Sequence, residues 1–241
     1  MVVSSLYVSL SGQMALERRL ETVARNVANM ETTGYRADEV KFDSLVKRPG
    51  EDPVAFASTG KTYISTQPGE IKQTGNTLDV AIEGEGWLGI QTGNGIAYTR
   101  DGRFQVATDG ILRSIEGNPI LDNGNAPIVL DPLGGSPEIS KDGTIYQEGR
   151  QVGVLGLFSI PQNAQLSRTG NSGVIPDTLV EPVQDFTENG FAQGFAEGSN
   201  INPIAEITKL ITITRAFEST NSMMQSVESI RQQTIKKLGE G

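Results

Sequence analysis

The segment Gly84-Glu85-Gly86-Trp87-Leu88-Gly89 reproduces the G-x-G-x-x-G spacing with which a strand-to-helix turn cradles a dinucleotide pyrophosphate. That chemistry needs the glycines to open a helix whose first amides face the anion. Here Leu88 to Ile90 continues as a strand-like run, Gly93-Asn94-Gly95 reads as a hairpin turn, and Glu83 and Glu85 would repel phosphate. Asp122-Asn123-Gly124-Asn125 has the oxygen-rich look of a calcium loop, but no suitably spaced glutamate completes an EF-hand. A polar turn accounts for it. Glu83 and Glu85 could form an acid–base carboxylate pair of the glycosidase kind, and the solvent side of a hairpin explains them equally well. With 0 histidines and 0 cysteines, the usual triads, thiolate nucleophiles and disulfides are excluded. The expectation is a protein that is not an enzyme, with no cofactor, no metal and no small-molecule substrate.

What the sequence does specify is a layout. Two stretches, residues 6 to 30 and 203 to 238, carry helical periodicity, and they flank a glycine-rich middle. The first places Leu6, Leu10, Leu16, Leu20, Val23, Val27 and Met30 on one side of a 3.6-residue turn. The second places Leu210, Ile213, Phe217, Met224, Val227 and Leu238 likewise, with positions 210, 217, 224, 231 and 238 in one heptad register. Thr220, Thr234 and Arg231 interrupt that seam, so a bundle or a contact with several partners fits better than a two-stranded zipper. At about 1.5 Å per residue the second helix would span roughly 50 Å and the first roughly 40 Å. An alternative reading has both helices simply covering the central domain. Ile211-Thr212-Ile213-Thr214 alternates like a strand, but its flanks favour helix: Asn202 is a good cap, Pro203 suits the first helical position, and Gly239 supplies a stop.

Between the helices, Pro49-Gly50-Glu51-Asp52-Pro53 breaks the chain and the period then changes to alternation. Short apolar runs separated by Asp101-Gly102, Asp109-Gly110 and Asp142-Gly143 predict an all-β region of short strands, either barrel or sandwich. The expected fold is therefore mixed α and β: long N- and C-terminal helices forming a coiled-coil-like helical domain, with a central all-β domain inserted between them. Its boundaries are read as 1–35 and 200–241 for the helical domain, 36–75 and 185–199 for extended linkers, and 76–184 for the β domain.

Charge separates these parts. Of the net −9, residues 1–50 and 199–241 each carry +1, which leaves −11 on residues 51–198. Near-neutral ends can pack densely while an acidic middle stays solvated. An acidic chain lacks the basic patch that nucleic acid or an anionic membrane surface requires. No run approaches the length of a membrane-spanning helix, and Met1-Val2-Val3-Ser4-Ser5 lacks a basic signal-peptide n-region, so neither membrane insertion nor a cleaved signal is expected.

The run from Leu20 to Arg36 contains Asn26, Asn29, Thr32, Gly34 and Tyr35 in an arrangement that resembles the N-terminal signature of the bacterial flagellar rod and hook proteins: an Asn-rich helix end, then a Thr-x-Gly-aromatic-basic exit. Arg25 stands where that signature has its first Asn. Gln67 to Ile82, running on to Gly86-Trp87-Leu88, and Tyr98 to Phe104 resemble strand segments of the same family. Glu197-Gly198-Ser199-Asn200-Ile201-Asn202-Pro203 and Arg215-Ala216-Phe217-Glu218 are similar to its C-terminal helix signature, and their wording favours its proximal-rod branch over the distal one. The resemblance implies a structural subunit of the flagellar basal-body rod. Such subunits leave the cell through the flagellar type III export apparatus. They polymerise with themselves and other rod proteins across the periplasm, using their terminal helices as an inner coiled-coil layer.

Overall fold

The structure, a computed structural model, describes residues 2–41, 44–47, 54–57 and 60–239, with side chains at 10–41, 60–226, 229–230 and 232–233. Side chains of Leu6, Val227, Arg231 and Leu238, and the Pro49 to Pro53 break, lie outside the described residues. The chain divides into two compact units.

The first unit comprises Met1–Ala28, Asp38–Tyr63 and Asn202–Gly241. Helix α1 spans Val2–Ala28 and helix α2 spans Pro203–Gly239. The start of α2 is set by Asn202, whose side-chain oxygen accepts the Ala205 N–H at 3.1 Å while its carbonyl accepts that of Glu206. Ile211 to Thr214 lies within α2, where Thr212 and Thr214 return their hydroxyls to the carbonyls of Thr208 and Leu210, both at 2.9 Å. Those bonds satisfy the threonines inside a helix and remove the pull of the β-branched run toward strand. The two helices run antiparallel, since Gln13 bonds Asn221 at 3.0 Å and Asn26 reaches Glu206 at 3.4 Å. Strand Asp38–Lys41 neighbours Lys61–Ile64, and Ser44–Lys47 pairs antiparallel with Val54–Ala57, a strand that lies against α1.

This architecture overturns the expected coiled-coil-like domain of two long helices with an all-β insert. There are two helices among the described residues, the N-terminal one the shorter at 27 residues against 37, and a large β-rich body makes up most of the rest. The unit that holds the helices holds strands too. Heptad positions Leu210, Phe217 and Met224 are only half-buried, whereas polar Thr22, Asn26 and Glu206 are buried. A zipper needs apolar knobs at those buried places. Here α1 spends part of its surface on strands of its own chain, so no continuous helix-to-helix seam forms.

The second unit, Asn29–Ala37 with Ile64–Ile201, is the β body. Its largest sheet has six strands in the order Leu166–Thr169, Gly173–Pro176, Gly95–Thr99, Trp87–Thr92, Leu157–Ser159, Glu181–Pro182. Two-stranded pairings accompany it. Val80–Glu83 pairs with Gly190–Gln193, Ile71–Gln73 with Phe195–Glu197, and Phe104–Val106 with Leu112–Ser114. Alternation along these short strands turns Val80, Ile82, Leu88, Ile90, Leu112, Ile120 and their neighbours into one buried apolar cluster. A second cluster gathers Ile64, Trp87, Tyr98, Phe158 and Val174.

Close backbone approach dictates some of the glycines. At Gly102 the carbonyl accepts the Val80 N–H, and a Cβ there would sit 1.8 Å from the Val80 oxygen. Gly93, in the hairpin turn, has nothing within 4 Å. We expect Gly102→Ala to lower the stability of the β body by about 1–3 kcal/mol through forced backbone displacement, and Gly93→Ala to leave it within about 0.5 kcal/mol. Urea unfolding followed by fluorescence of the single tryptophan, Trp87, distinguishes the two.

Candidate assembly site

In the first unit the signature asparagine near the end of α1 does more than finish a helix. Asn26, 3 % exposed, accepts the Asp38 N–H and donates to the Asp38 carbonyl, both at 2.9 Å. One amide thus satisfies both backbone groups of the first residue of a strand, as a neighbouring strand would. The Asp38 carboxylate, 2 % exposed, takes Arg25 at 3.0 Å. Glu206, on α2, receives Asn26 on one oxygen and Lys209 on the other at 2.6 Å. Arg25, which departs from the family's Asn, is therefore used: its cation neutralises a carboxylate that Asn could only hydrogen-bond.

In the second unit the remaining signature residues shape a turn. Thr32 donates its N–H to the Asn29 carbonyl and its hydroxyl to the Asn29 side chain, and Tyr35 N–H closes on the Thr32 carbonyl. Gly34 has φ of 68° and packs so tightly that an added Cβ would lie 2.2 Å from the Asp101 nitrogen. Only glycine meets both demands. Tyr35 is fully buried, with the Arg168 guanidinium 4.2 Å above its ring, and Arg168 donates to the Arg36 carbonyl at 2.6 Å.

The strongest feature of this unit is a charge node that the sequence pattern did not single out. Glu197, 1 % exposed, takes Arg36 at 2.7 Å on one carboxylate oxygen and Arg100 at 3.0 Å on the other. The Gly69 N–H adds a third donor at 2.9 Å. Arg36 and Arg100 stand 5.7 and 5.8 Å from the centre of the Trp87 ring, within cation–π range. Arg100 also donates to the carbonyls of Ile82 and Gly84. Burial pushes the Arg36 guanidinium down to about 10, with Glu197 opposing and Arg100 adding to the shift. Burial likewise lowers Arg100, against the pull of Glu197. Both stay charged at neutral pH, so the node is a fixed ionic clamp.

Asn200 completes it. Its side-chain oxygen accepts the Ala37 N–H at 2.7 Å, its amide donates to the Gln67 carbonyl at 2.9 Å, and its own N–H reaches the Tyr35 carbonyl. Ser199 accepts the Ile201 N–H. Residues 34–37 and 197–200, far apart in sequence, are thereby fastened side by side.

The proposed seam residues spread over a range of environments. Val23 and Ile213 are buried, Leu16, Leu20, Val27, Met30, Leu210, Phe217 and Met224 are half-buried, and Leu10 is exposed. The side chains of Arg215 and Glu218, the exposed pair of the C-terminal signature, make no hydrogen bond or ion pair with another described residue. Sequence reasoning missed Glu197, Arg100 and Trp87 as a group. The available signal was two charges set inside strand patterns, at Tyr98-Thr99-Arg100 and Phe195-Ala196-Glu197, where alternation predicts burial.

The Gly84 to Gly89 motif joins strand Val80–Glu83 to strand Trp87–Thr92, and Asn189 accepts the Glu85 N–H, so its glycines serve a strand connection. Asp122 spends a carboxylate oxygen on the N–H groups of Gly124 and Ala126, both at 2.8 Å, which makes the calcium-like segment a turn. Among the described residues no group of three or more His, Cys, Asp or Glu could hold a metal ion. Among them, no helix is long and apolar enough to cross a membrane.

Comparison with known proteins matches three family descriptions in chain order. They are "Flagella basal body rod protein" at residues 6–36, "Flagellar hook protein FlgE/F/G D1 domain" at 81–147, and "Flagellar basal body rod FlgEFG protein C-terminal" at 192–237. The flagellar basal-body rod protein FlgF of Mesorhizobium japonicum is 49 % identical over 235 residues, 98 % of each chain. That of Rhizobium meliloti is 43 % identical over 236 residues, again 98 % of each. The flagellar basal-body rod protein FlgG of Bacillus subtilis is 28 % identical over 263 residues, covering 97 % of this chain and 98 % of its own.

Two substitutions test the geometry. Glu197→Gln keeps the shape but leaves two buried guanidiniums without a counter-charge, and we expect a loss of about 3–5 kcal/mol in urea unfolding read by Trp87 fluorescence. Asn26→Ala strands the buried Asp38 N–H and carbonyl, at an expected cost of about 1–3 kcal/mol, read as a lower midpoint in thermal circular dichroism.

Proposed function

The chain belongs to the flagellar basal-body rod protein family, and from that premise we propose that it is a structural subunit of the proximal rod, the shaft that transmits torque to the hook. Its place is the flagellar basal body, and its partners are other rod and hook proteins. The observation that carries the proximal reading is the 49 % identity, over 98 % of both chains, to a relative named FlgF, against 28 % to one named FlgG. Function on this reading resides in assembly, without catalysis.

The export apparatus passes the chain to the growing rod, where the terminal helices supply the polymerising surface and the β body folds around its ionic clamp. Physical chemistry supports that division. Ordering a residue costs about 1–2 kcal/mol, while burying a large apolar side chain returns roughly 1.5–3 kcal/mol. Half-buried Leu20, Val27, Phe217 and Met224 have part of that return still to collect, and neighbouring subunits in the rod can provide it.

Leu20→Asp combined with Phe217→Asp is expected to abolish swimming and rod assembly when it replaces the native chain. Trp87 fluorescence of the purified variant should show the β body still folded. Normal motility of the double variant would overturn this reading.

A further inference from the structure

Three Asn-Gly pairs occur in the chain, at Asn94-Gly95, Asn123-Gly124 and Asn189-Gly190. With no Cβ on the following residue, the next backbone nitrogen can approach the asparagine amide closely. Each pair is therefore a place where an asparagine can turn into an acid without an enzyme. What decides the matter is how the fold holds the side chain and the glycine nitrogen.

The three pairs are held differently. Asn189 is half-buried, and its side-chain oxygen accepts the Glu85 N–H at 2.8 Å. Gly190 is buried in the strand that pairs with Val80–Glu83, and an added Cβ there would lie 2.7 Å from Cγ of Lys141. Ring closure has little space at that position. Asn123 is exposed, but the Gly124 N–H donates to the Asp122 carboxylate at 2.8 Å. The attacking species is the deprotonated nitrogen, and a carboxylate against that proton opposes its removal. Asn94 carries neither restraint. It is exposed at the tip of the hairpin between Trp87–Thr92 and Gly95–Thr99, and its side chain makes no hydrogen bond with a described residue. An added Cβ at Gly93 or Gly95 would meet nothing within 4 Å, so a ring can form in open space. Gly95 lies opposite Thr92 in the last rung of the ladder, where local opening costs least.

We propose that Asn94 is a site of spontaneous deamidation in the folded chain. Hydroxide removes the Gly95 amide proton, and the nitrogen attacks Cγ of Asn94. The new N–C bond closes a succinimide, the Cγ–Nδ2 bond breaks, and the leaving nitrogen takes a proton from water and departs as ammonia. Water then opens the ring. Attack at Cγ gives an aspartyl residue with the ordinary backbone, while attack at the main-chain carbonyl gives an isoaspartyl link that runs through the former side chain. Either product adds a negative charge to the hairpin tip, and the isoaspartyl form also lengthens the turn by a methylene. Ile90 and Ala97, paired further along the same hairpin, remain in the core. The tip thus records the age of the chain without unfolding it. This inference goes beyond the rod-subunit reading and does not depend on it.

The test uses the purified full-length chain, held at neutral pH and 37 °C either folded or in urea, in water enriched in heavy oxygen. Trypsin places the three pairs in separate peptides, residues 73–100, 114–141 and 169–209, and mass spectrometry follows amide-to-acid conversion in each. In the folded chain the pair at Asn94 is expected to convert at least tenfold faster than the other two, with Trp87 fluorescence unchanged. In urea the three rates should draw level. A folded-state advantage below tenfold, or the same advantage persisting in urea, overturns the proposal. Asn94→Gln should remove most of the methyl groups that an isoaspartyl methyltransferase transfers to the aged, folded chain. Undiminished methylation of that variant places the reaction elsewhere and overturns the assignment; neither failure bears on assembly into a rod.

Discussion

A single carboxylate holds the β body's two ends together. Glu197 takes a guanidinium on each oxygen, from Arg36 and Arg100, with Trp87 against both cations. Removing three charges from water is expensive, and their mutual attraction repays it only when geometry and further hydrogen bonds are good. Here the Gly69 N–H and the carbonyls of Thr66, Ile82 and Gly84 supply those bonds. A hydrophobic replacement could rival the clamp in stability, but it would not demand one particular alignment of residues 34–36 with residues 69–70, 100 and 197. The ionic version specifies position.

The first unit solves a related problem without a central charge pair. Asn26 treats a strand residue as a partner strand would, giving it one donor and one acceptor. Neutral amides carry a smaller desolvation cost than ions, so this junction can be small. Asn26 touches Asp38 through its backbone and Glu206 through its carboxylate, and the two acidic side chains each bring a cation of their own in Arg25 and Lys209.

Local signals were the most legible. Asn202-Pro203 foretold the start of α2, and Asn94-Gly95, Asp109-Gly110 and Asp142-Gly143 foretold positive-φ turns between short strands, because caps and such turns depend on a few adjacent residues; Asp101-Gly102 makes no such turn, and its glycine serves the close approach to Val80. The coiled-coil expectation failed for a corresponding reason. Heptad spacing states which residues share a side of a helix, but says nothing about what lies opposite, and strands from residues 38–63 occupy part of α1. Asn26 and Asn29 read as helix-end residues. Their partners, Asp38 and Thr32, lie beyond the helix, where no helical period points. The Glu197 clamp was invisible for a further reason: its members lie on four segments separated by up to 161 positions, from Arg36 to Glu197, and pair only once the sheets exist.

The pairing of Ile71–Gln73 with Phe195–Glu197, and of Val80–Glu83 with Gly190–Gln193, also sets a timetable. A chain that emerges amino end first presents Arg36, Trp87 and Arg100 long before the carboxylate that matches them. Until residue 197 arrives, the guanidiniums resist burial, and the core strand Val80–Glu83 and the exposed strand Ile71–Gln73 lack their neighbours. Closure is therefore a late event governed by long-range contact, which is slow relative to local hairpins. The β body stays pliant for most of its emergence and becomes rigid only as the last stretch of chain, α2, comes out behind it.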